Sequence, residues 1–399
     1  MLLASIALLL VALLGHGMLS VGLLNRMHAV PLSRPLIKLL SLGIYAFGAG
    51  VPVLIVAWAV YYDVQPRSPW PASDVPCASL VAAYLAIAVA AACVRLPQWL
   101  HWRLTARPPE QLLSNHGTRA NLGATLGPAA TNGLGRLYAR VPGNQILHLE
   151  TNEKALAVPR LPSALDGLSI AHLSDLHLTG WIDRCYFAEV VERVNAMRAD
   201  LVMIAGDLVD NNHSIDTVCE LLGQLRAPQG VYFVLGNHDR RVDHRRLRQL
   251  LASAGLIDLA ARRVAMEVQG QRLILAGNEL PWFPAGPDMN DRPETAEDQQ
   301  ATRIALCHTP DQIRWAQRHD FDLLLAGHTH GGQIRLPLLG PIVAPSYYGV
   351  RYASGTFYEP PTLMHVSRGV SGLQLVRWNC PPEITKLVLR SAAKMCTLC

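Results

Sequence analysis

The sequence predicts a membrane-linked α/β protein, and three observations carry that expectation. Uncharged, strongly apolar runs cover residues 1–25, 39–62 and 75–94. From about residue 145 the pattern changes, and short apolar runs alternate with stretches of helical periodicity. Wherever one of those short runs ends, an Asp, Asn or His follows within a few residues.

The three N-terminal runs each have about the ~20 residues a helix needs to cross a hydrocarbon core. Three in the first hundred residues, with short polar breaks between them, read as transmembrane helices rather than buried core helices. The first reads as a retained span, not a cleaved signal peptide. Such peptides open on a positive segment, whereas Leu2-Leu3-Ala4 follows Met1 directly and the first Lys or Arg is Arg26. Arg26, Arg34 and Lys38 fall in the first loop, Arg67 alone in the second, and Arg95, Arg103, Arg107 and Arg119 after the third run. The positive-inside rule then puts the C-terminal part in the cytoplasm and the N-terminus outside. Tyr61, Tyr62, Trp70, Trp99 and Trp102 lie near span ends, where amphipathic aromatics settle. The expected location is a bacterial inner or plasma membrane, with the lipid bilayer as a partner.

Eight scattered cysteines fit a reducing compartment. The tight pair Cys396 and Cys399 sits at the extreme terminus with no second pair beside it, so it reads as a frayed tail. A net charge of +5 on 399 residues, without a basic run interleaved with aromatics, excludes nucleic acid as an expected partner. No protein partner is legible. Residues 104–144 are rich in Gly, Pro, Asn, Ala and Thr with no lasting period, which is linker composition. The organisation expected is a membrane domain over 1–103, a linker over 104–144, one α/β domain over 145–390 and a tail over 391–399.

Within the α/β domain, 168–173, 201–205, 231–235, 273–276, 303–307 and 321–326 read as strands. Phe187, Val190, Val191, Val194 and Met197 keep the i, i+3, i+4, i+7 spacing of an amphipathic helix, and Val218, Leu221, Leu222 and Leu225 mark another. The strand ends carry five motifs: Asp175-Leu176-His177, Gly206-Asp207-Leu208-Val209-Asp210, Gly236-Asn237-His238-Asp239, a lone His308, and Gly327-His328-Thr329-His330-Gly331-Gly332. Ligands of open α/β sheets bind outside the carboxyl ends of strands, so loops spread over the chain can converge there. Gly206, Gly236 and Gly327 suit tight turns close to a ligand. Carboxylate, amide oxygen and imidazole donors suit manganese, iron, magnesium or zinc rather than a thiolate site.

Taken in order, these five motifs resemble those of the calcineurin-like metallophosphoesterases. Spans ahead of a domain that opens LPSALDGLSIAHLSDLHL resemble that family's membrane-linked branch, which includes transmembrane proteins with a metallophosphoesterase domain and bacterial phosphodiesterases acting on UDP-diacylglucosamine. The resemblance implies a four-layer αββα sandwich after the three transmembrane helices, closed by a last strand at 382–387. It implies two divalent metal ions, manganese foremost. Asp175, His177 and His330 match the ligands of the first metal, Asn237, His308 and His328 those of the second, and Asp207 the carboxylate between them. A shared carboxylate offsets the repulsion of two cations, and a metal pair clamps the attacking and leaving oxygens of an in-line displacement. His238 matches a histidine that protonates the leaving oxygen, with Asp210 as its carboxylate partner. Asp239 reads at least as readily as a loop-capping residue.

Arg368 is a candidate substrate-binding residue, a phosphate or leaving-group contact in a region that departs from the family's usual turn. Trp181, Trp282, Phe283, Tyr347 and Tyr348 lie near motifs and read mainly as packing. The implied activity is hydrolysis of a phosphodiester or pyrophosphate bond in a phosphoester substrate, lipid-linked or nucleotide-lipid in kind. A phosphomonoesterase or phosphoprotein phosphatase uses the same site. A metal-binding membrane scaffold without turnover is the rival of another class, and it has no need of His238 and Asp210.

Overall fold

Three long helices come first in the computed structural model: α1 (Leu2–His28), α2 (Arg34–Val64) and α3 (Val75–Thr105). The structure describes residues 2–64, 75–105, 107–289 and 300–391. Arg67, Trp70 and the Cys396–Cys399 pair lie outside those residues. Segments Ile6–His28, Arg34–Ala57 and Leu80–Thr105 are long and apolar enough to cross a membrane. Helix α3 outruns its uncharged stretch and carries Arg95 and Arg103 in its later turns. At Gly15, α1 and α3 approach so closely that a Cβ would lie 1.8 Å from the Ala88 carbonyl oxygen, the use small residues have between membrane helices. The buried His16 of α1 is hydrogen-bonded to the Tyr84 hydroxyl of α3 and, through Nε2, to the Gly48 carbonyl of α2 at 3.1 Å. One imidazole thus joins all three helices on their inner side.

The second compact unit begins at Pro108. Its first sheet is built from β1 (Leu112–Asn121), β2 (His148–Val158), β3 (Ser169–Leu173), β4 (Leu201–Ala205), β5 (Val231–Val234), β6 (Ile257–Asp258) and the C-terminal β15 (Glu383–Ser391). Their spatial order is β1-β2-β15-β3-β4-β5-β6. Strands β3 to β6 run parallel, and β15 lies antiparallel to β3. The second sheet holds β7 (Arg263–Val268), β8 (Gln271–Asn278), β9 (Thr302–Cys307), β10 (Leu323–Ala326), β13 (Gly355–Glu359) and β14 (Thr362–Val366), in the order β13-β14-β10-β9-β8-β7. A hairpin of β11 (Arg335–Leu336) and β12 (Gly340–Pro341) stands apart.

Side-chain alternation explains the layering. Leu201 and Met203 of β4 face inward, into a core shared with Leu273, Leu275, Ile304 and Leu323 of the second sheet. Their neighbours Val202 and Ile204 face outward, against helices α6 (Arg184–Ala196), α7 (Ile215–Leu222) and α8 (His244–Ser253). On the other side, Leu324 and Ala326 of β10 pack with Trp315 and Ala316 of α9 (Ile313–Arg318). Both faces of each central strand are therefore buried. That is why these strands read as continuous apolar runs. The result is the four-layer αββα sandwich, two mixed sheets covered by helices.

The segment read as a linker is corrected by the structure. It holds β1 together with two short helices, α4 (Leu122–Leu126) and α5 (Leu134–Ala139). Strand β1 pairs antiparallel with β2 along its length, from Leu112 opposite Leu156 to Asn121 opposite His148. It is an edge strand, mostly exposed, so its residues carry no apolar alternation to announce it. The six strands expected within the domain agree with β3, β4, β5, β8, β9 and β10 to within about two residues at either end; the last strand, expected over 382–387, runs on to Ser391, and β2, β6, β7, β13 and β14 were not expected.

Candidate functional site

The parallel strands β3, β4 and β5 and, in the other sheet, β9, β10 and β14 deliver the motif loops. Past the strands, the loops of β3 and β4 stay paired: Asp175 N–H donates to the Gly206 carbonyl at 2.9 Å and His177 N–H to the Asp207 carbonyl at 3.0 Å. The chain turns sharply here. Asp175, His177, Asp207, His328 and His330 all have positive φ, between 47° and 71°. Non-glycine residues hold such backbone only where the surroundings over-determine it, at on the order of 1–3 kcal/mol each. Gly236 is needed for clearance rather than for a turn, because a Cβ there would lie 2.2 Å from Asp207 Oδ1.

Three groups of donor atoms converge: Asp175, His177 and His330; His177, Asp207 and His238; and Asp207, His308 and His328. His177 Nε2 lies 3.3 Å from His330 Nε2 and 3.5 Å from Asp207 Oδ2. His308 Nε2 lies 3.4 Å from the same Asp207 oxygen, 3.1 Å from His328 Nδ1 and 3.1 Å from Asn237 Oδ1. All seven expected ligands are thus brought together. His238 converges with two of them, so the donor set alone allows it either role.

These residues fit a bound cation. His308 Nδ1 is 2.7 Å from the Ala205 carbonyl and donates to it, which turns the Nε2 lone pair toward the oxygens of Asp207 and Asn237. His177 Nδ1 donates to Asp210 Oδ2 at 3.0 Å and likewise turns its Nε2 lone pair inward. Acceptors that face acceptors call for a positive charge between them. The electrostatics agree. Burial acts to lower the His177 ring, yet Asp210 pushes it up to about 9. Burial opposes His308 in the same way, and Asp207 pushes it up to about 9. Asp207 is held well below the carboxylate range against its own burial, chiefly by His308 and His238.

His238 is partly open, its side chain 13% exposed, as is that of His330. Its N–H donates to Asp207 Oδ1 at 2.8 Å and its Nδ1 is hydrogen-bonded to Asp210 Oδ1. Asp210 therefore serves two rings, His238 and His177. Asp239 is a loop brace. It is fully buried, and its carboxylate accepts from the N–H groups of Leu208, Val209 and Gly236 at 2.9, 3.0 and 2.9 Å.

Arg368 departs from its expectation as a phosphate contact. Its Nε donates to Glu383 Oε2 at 2.9 Å and its Nη2 pairs with Glu150 and Glu383. The buried Glu383 of β15 and the half-buried Glu150 of β2 claim the guanidinium. Three residues escaped the sequence reading. Arg377, fully buried, donates to the Arg368 and Ser371 carbonyls and lies 3.3 Å from His330 Nδ1, tying two site loops together. Arg241, exposed, holds Nη1 at 3.3 and 3.4 Å from the ring nitrogens of His238. Leu338 is 92% exposed on the hairpin just past His330. None of the three stands in a motif or a periodic pattern. Trp282 is buried against His308 and His328, with ring centroids 5.4 and 4.7 Å away.

Comparison with known proteins agrees with this geometry. Residues 168–332 match the calcineurin-like phosphoesterase family. The chain is 30% identical over 275 residues to the metallophosphoesterase YkuE of Bacillus subtilis, a match covering 67% of this chain and 94% of YkuE. Phosphodiesterase YaeI of Escherichia coli is 29% identical over 268 residues, 65% of this chain and 94% of YaeI. A transmembrane protein with metallophosphoesterase domain from Bos taurus is 32% identical over 253 residues, 59% of this chain and 56% of its own. This chain belongs to the calcineurin-like phosphoesterase family. Its activity class is metal-dependent hydrolysis of phosphoric esters, and its three apolar helices mark it as a membrane protein.

Proposed function

We propose that this protein is a membrane-anchored phosphodiesterase with a two-metal centre. Its proposed reaction is hydrolysis of a phosphodiester or pyrophosphate bond in a lipid-linked or nucleotide-lipid substrate. The observation that carries the metal reading is Asp207: one oxygen, Oδ2, lies 3.5 Å from His177 Nε2 and 3.4 Å from His308 Nε2. A single carboxylate oxygen shared by both halves of the donor set is what a pair of cations needs. Asp175, His177 and His330 would hold one, Asn237, His308 and His328 the other, with Asp207 between. Manganese is the foremost candidate, ahead of iron, zinc and magnesium. When bound, such a pair supplies Lewis acidity and an activated water for in-line displacement at phosphorus.

The remaining chemistry belongs to side chains. With Nδ1 engaged by Asp210, the His238 ring presents Nε2 as the atom that delivers a proton to the leaving oxygen. Burial holds the His238 ring below the ordinary histidine value, and the Asp207 charge and the Asp210 hydrogen bond, which also fixes the tautomer, oppose it. Arg241, beside that ring, adds positive charge where the substrate's phosphate would sit. Anchoring raises the effective concentration of substrates that share the membrane, which is the support for a lipid-linked substrate. The charge bias of the loops supports a cytoplasmic active site in a bacterial inner or plasma membrane.

The test is turnover by the purified, detergent-solubilised full chain, with each divalent metal in turn. A lipid phosphodiester, a nucleotide-lipid pyrophosphate and a phosphomonoester are compared. Preference for the phosphomonoester would replace the phosphodiesterase reading with a phosphatase. A protein that binds metal and turns over none of them would be a scaffold.

A further inference from the structure

The segment that follows β14 carries no motif, yet it presses on a site residue from behind. Gly369 holds φ at 76°, and a Cβ there would lie 2.7 Å from Asp175 Cβ. Val370 N–H donates to the Ser174 carbonyl and Ser371 N–H to the Asp175 carbonyl, both at 2.9 Å. Asp175 itself stands at positive φ, a backbone that persists only where its surroundings over-determine it. The same segment reaches a second expected ligand. Arg377, which donates to the Arg368 and Ser371 carbonyls, lies 3.3 Å from His330 Nδ1. Among the described residues, none of the hydrogen bonds of residues 367–371 reaches Asn237 or His308. The segment thus backs one half of the donor set and not the other.

Glu383 is what fixes this segment. Its Oε1 accepts from the Arg368 N–H at 2.8 Å, and its Oε2 accepts from Arg368 Nε at 2.9 Å and from Asn152 Nδ2 at 3.0 Å. The Glu383 N–H in turn donates to the Gly369 carbonyl at 3.0 Å. Glu383 is 3% exposed. Apolar residues of similar volume often stabilise a fold as well as a buried ion pair does, or better. What the pair of Glu383 and Arg368 adds is one fixed geometry, two residues from the loop that backs Asp175. We infer that Glu383, acting through Arg368 and Gly369, is a positioning residue that sets Asp175 for the first of the two cations. The inference rests on the two-metal reading above and is independent of the identity of the substrate.

The experiment titrates the metal-free, detergent-solubilised full chain with manganese, read by calorimetry and by the paramagnetic resonance signal of the free ion. In Glu383→Gln the side-chain amide must turn an N–H toward a donor of Arg368. One of the two equivalents should then weaken by about ten-fold or more, the usual cost of losing an outer partner of a metal ligand. The other should stay within about two-fold. Arg368→Lys keeps the charge but lacks the planar fork, and it should weaken the same equivalent by about three-fold or more; it supplies the readout if Glu383→Gln does not fold. Asp322→Asn is the control for a merely structural loss. Asp322 is as buried, pairs with Arg160 at 2.6 Å and stands just before β10, at the end away from the motif loops. That variant should melt at a lower temperature with both equivalents unchanged. Single-position backgrounds assign the affected cation. Added to Asn237→Ala, Glu383→Gln should weaken the equivalent that remains; added to Asp175→Asn, it should leave the remaining one unchanged. Equal weakening of both equivalents, no change in either, or the same one-sided loss in Asp322→Asn overturns the inference. A wild-type chain that takes up fewer than two equivalents counts against the two-metal reading itself and overturns this inference with it.

Discussion

Asp210 Oδ2 accepts from Nδ1 of His177 at 3.0 Å while its other oxygen engages His238. One carboxylate thus orients an expected metal ligand and the expected proton donor. Replacing it with Asn leaves one of the two rings facing an amide N–H. Asp210→Asn should therefore weaken metal binding by about 10–100-fold, the usual cost of losing a carboxylate behind a ligating histidine. It should also lower kcat at saturating metal. Metal titration by calorimetry and steady-state rates separate the two effects. Wild-type metal affinity in this variant would remove Asp210 from behind His177.

Asp207→Asn should act differently, since Asp207 Oδ2 faces both donor groups. Metal content measured by mass spectrometry should drop at both positions together, and turnover should be lost. A variant that keeps two equivalents of metal and a normal rate is incompatible with a shared carboxylate.

For His238→Ala the expected pattern is retained metal with a rate lower by about 10²–10⁴-fold, the range for loss of a general acid. The loss should shrink for nitrophenyl esters, whose leaving group needs little protonation. If the metals themselves are lost, His238 is a ligand, the alternative that its convergence with His177 and Asp207 leaves available.

The interior between the sheets supplies a pH prediction. His172 Nδ1 lies 2.9 Å from His365 Nδ1, and His365 Nε2 lies 2.9 Å from Lys154 Nζ. Burial, with Lys154 adding to it and Glu383 opposing, pushes His172 down to about 3. An unfolded histidine takes its proton near pH ~6.5. Between those values the unfolded chain binds more protons, so stability is present above about pH 6.5 and is lost as pH falls. One such group contributes a slope of about 1.4 kcal/mol per pH unit. His172→Gln should flatten the decline in thermal stability between pH 6.5 and 5. Parallel curves for the two proteins would show that His172 titrates normally in the fold.

The motifs, the three spans and the central strands were all legible in the sequence, because each rests on local physics. A span needs only length and apolarity. A strand buried on both faces is a short apolar run, and its carboxyl end is where the chain can turn a polar residue toward a ligand. Tertiary structure decided what depends on residues far apart. Strand β1 escaped notice since an edge strand exposed on most of its length has no period to read. Arg368 and Glu383 lie 15 residues apart in the chain, and Glu150 lies on another strand, so nothing local announced that two carboxylates would take the guanidinium from a substrate. The double duty of Asp210 arises only when the loops of β3 and β5 meet over that of β4. Residue type and spacing set the chemistry available to this protein, whereas which partner each charge takes is settled by burial, where a charge cannot remain alone.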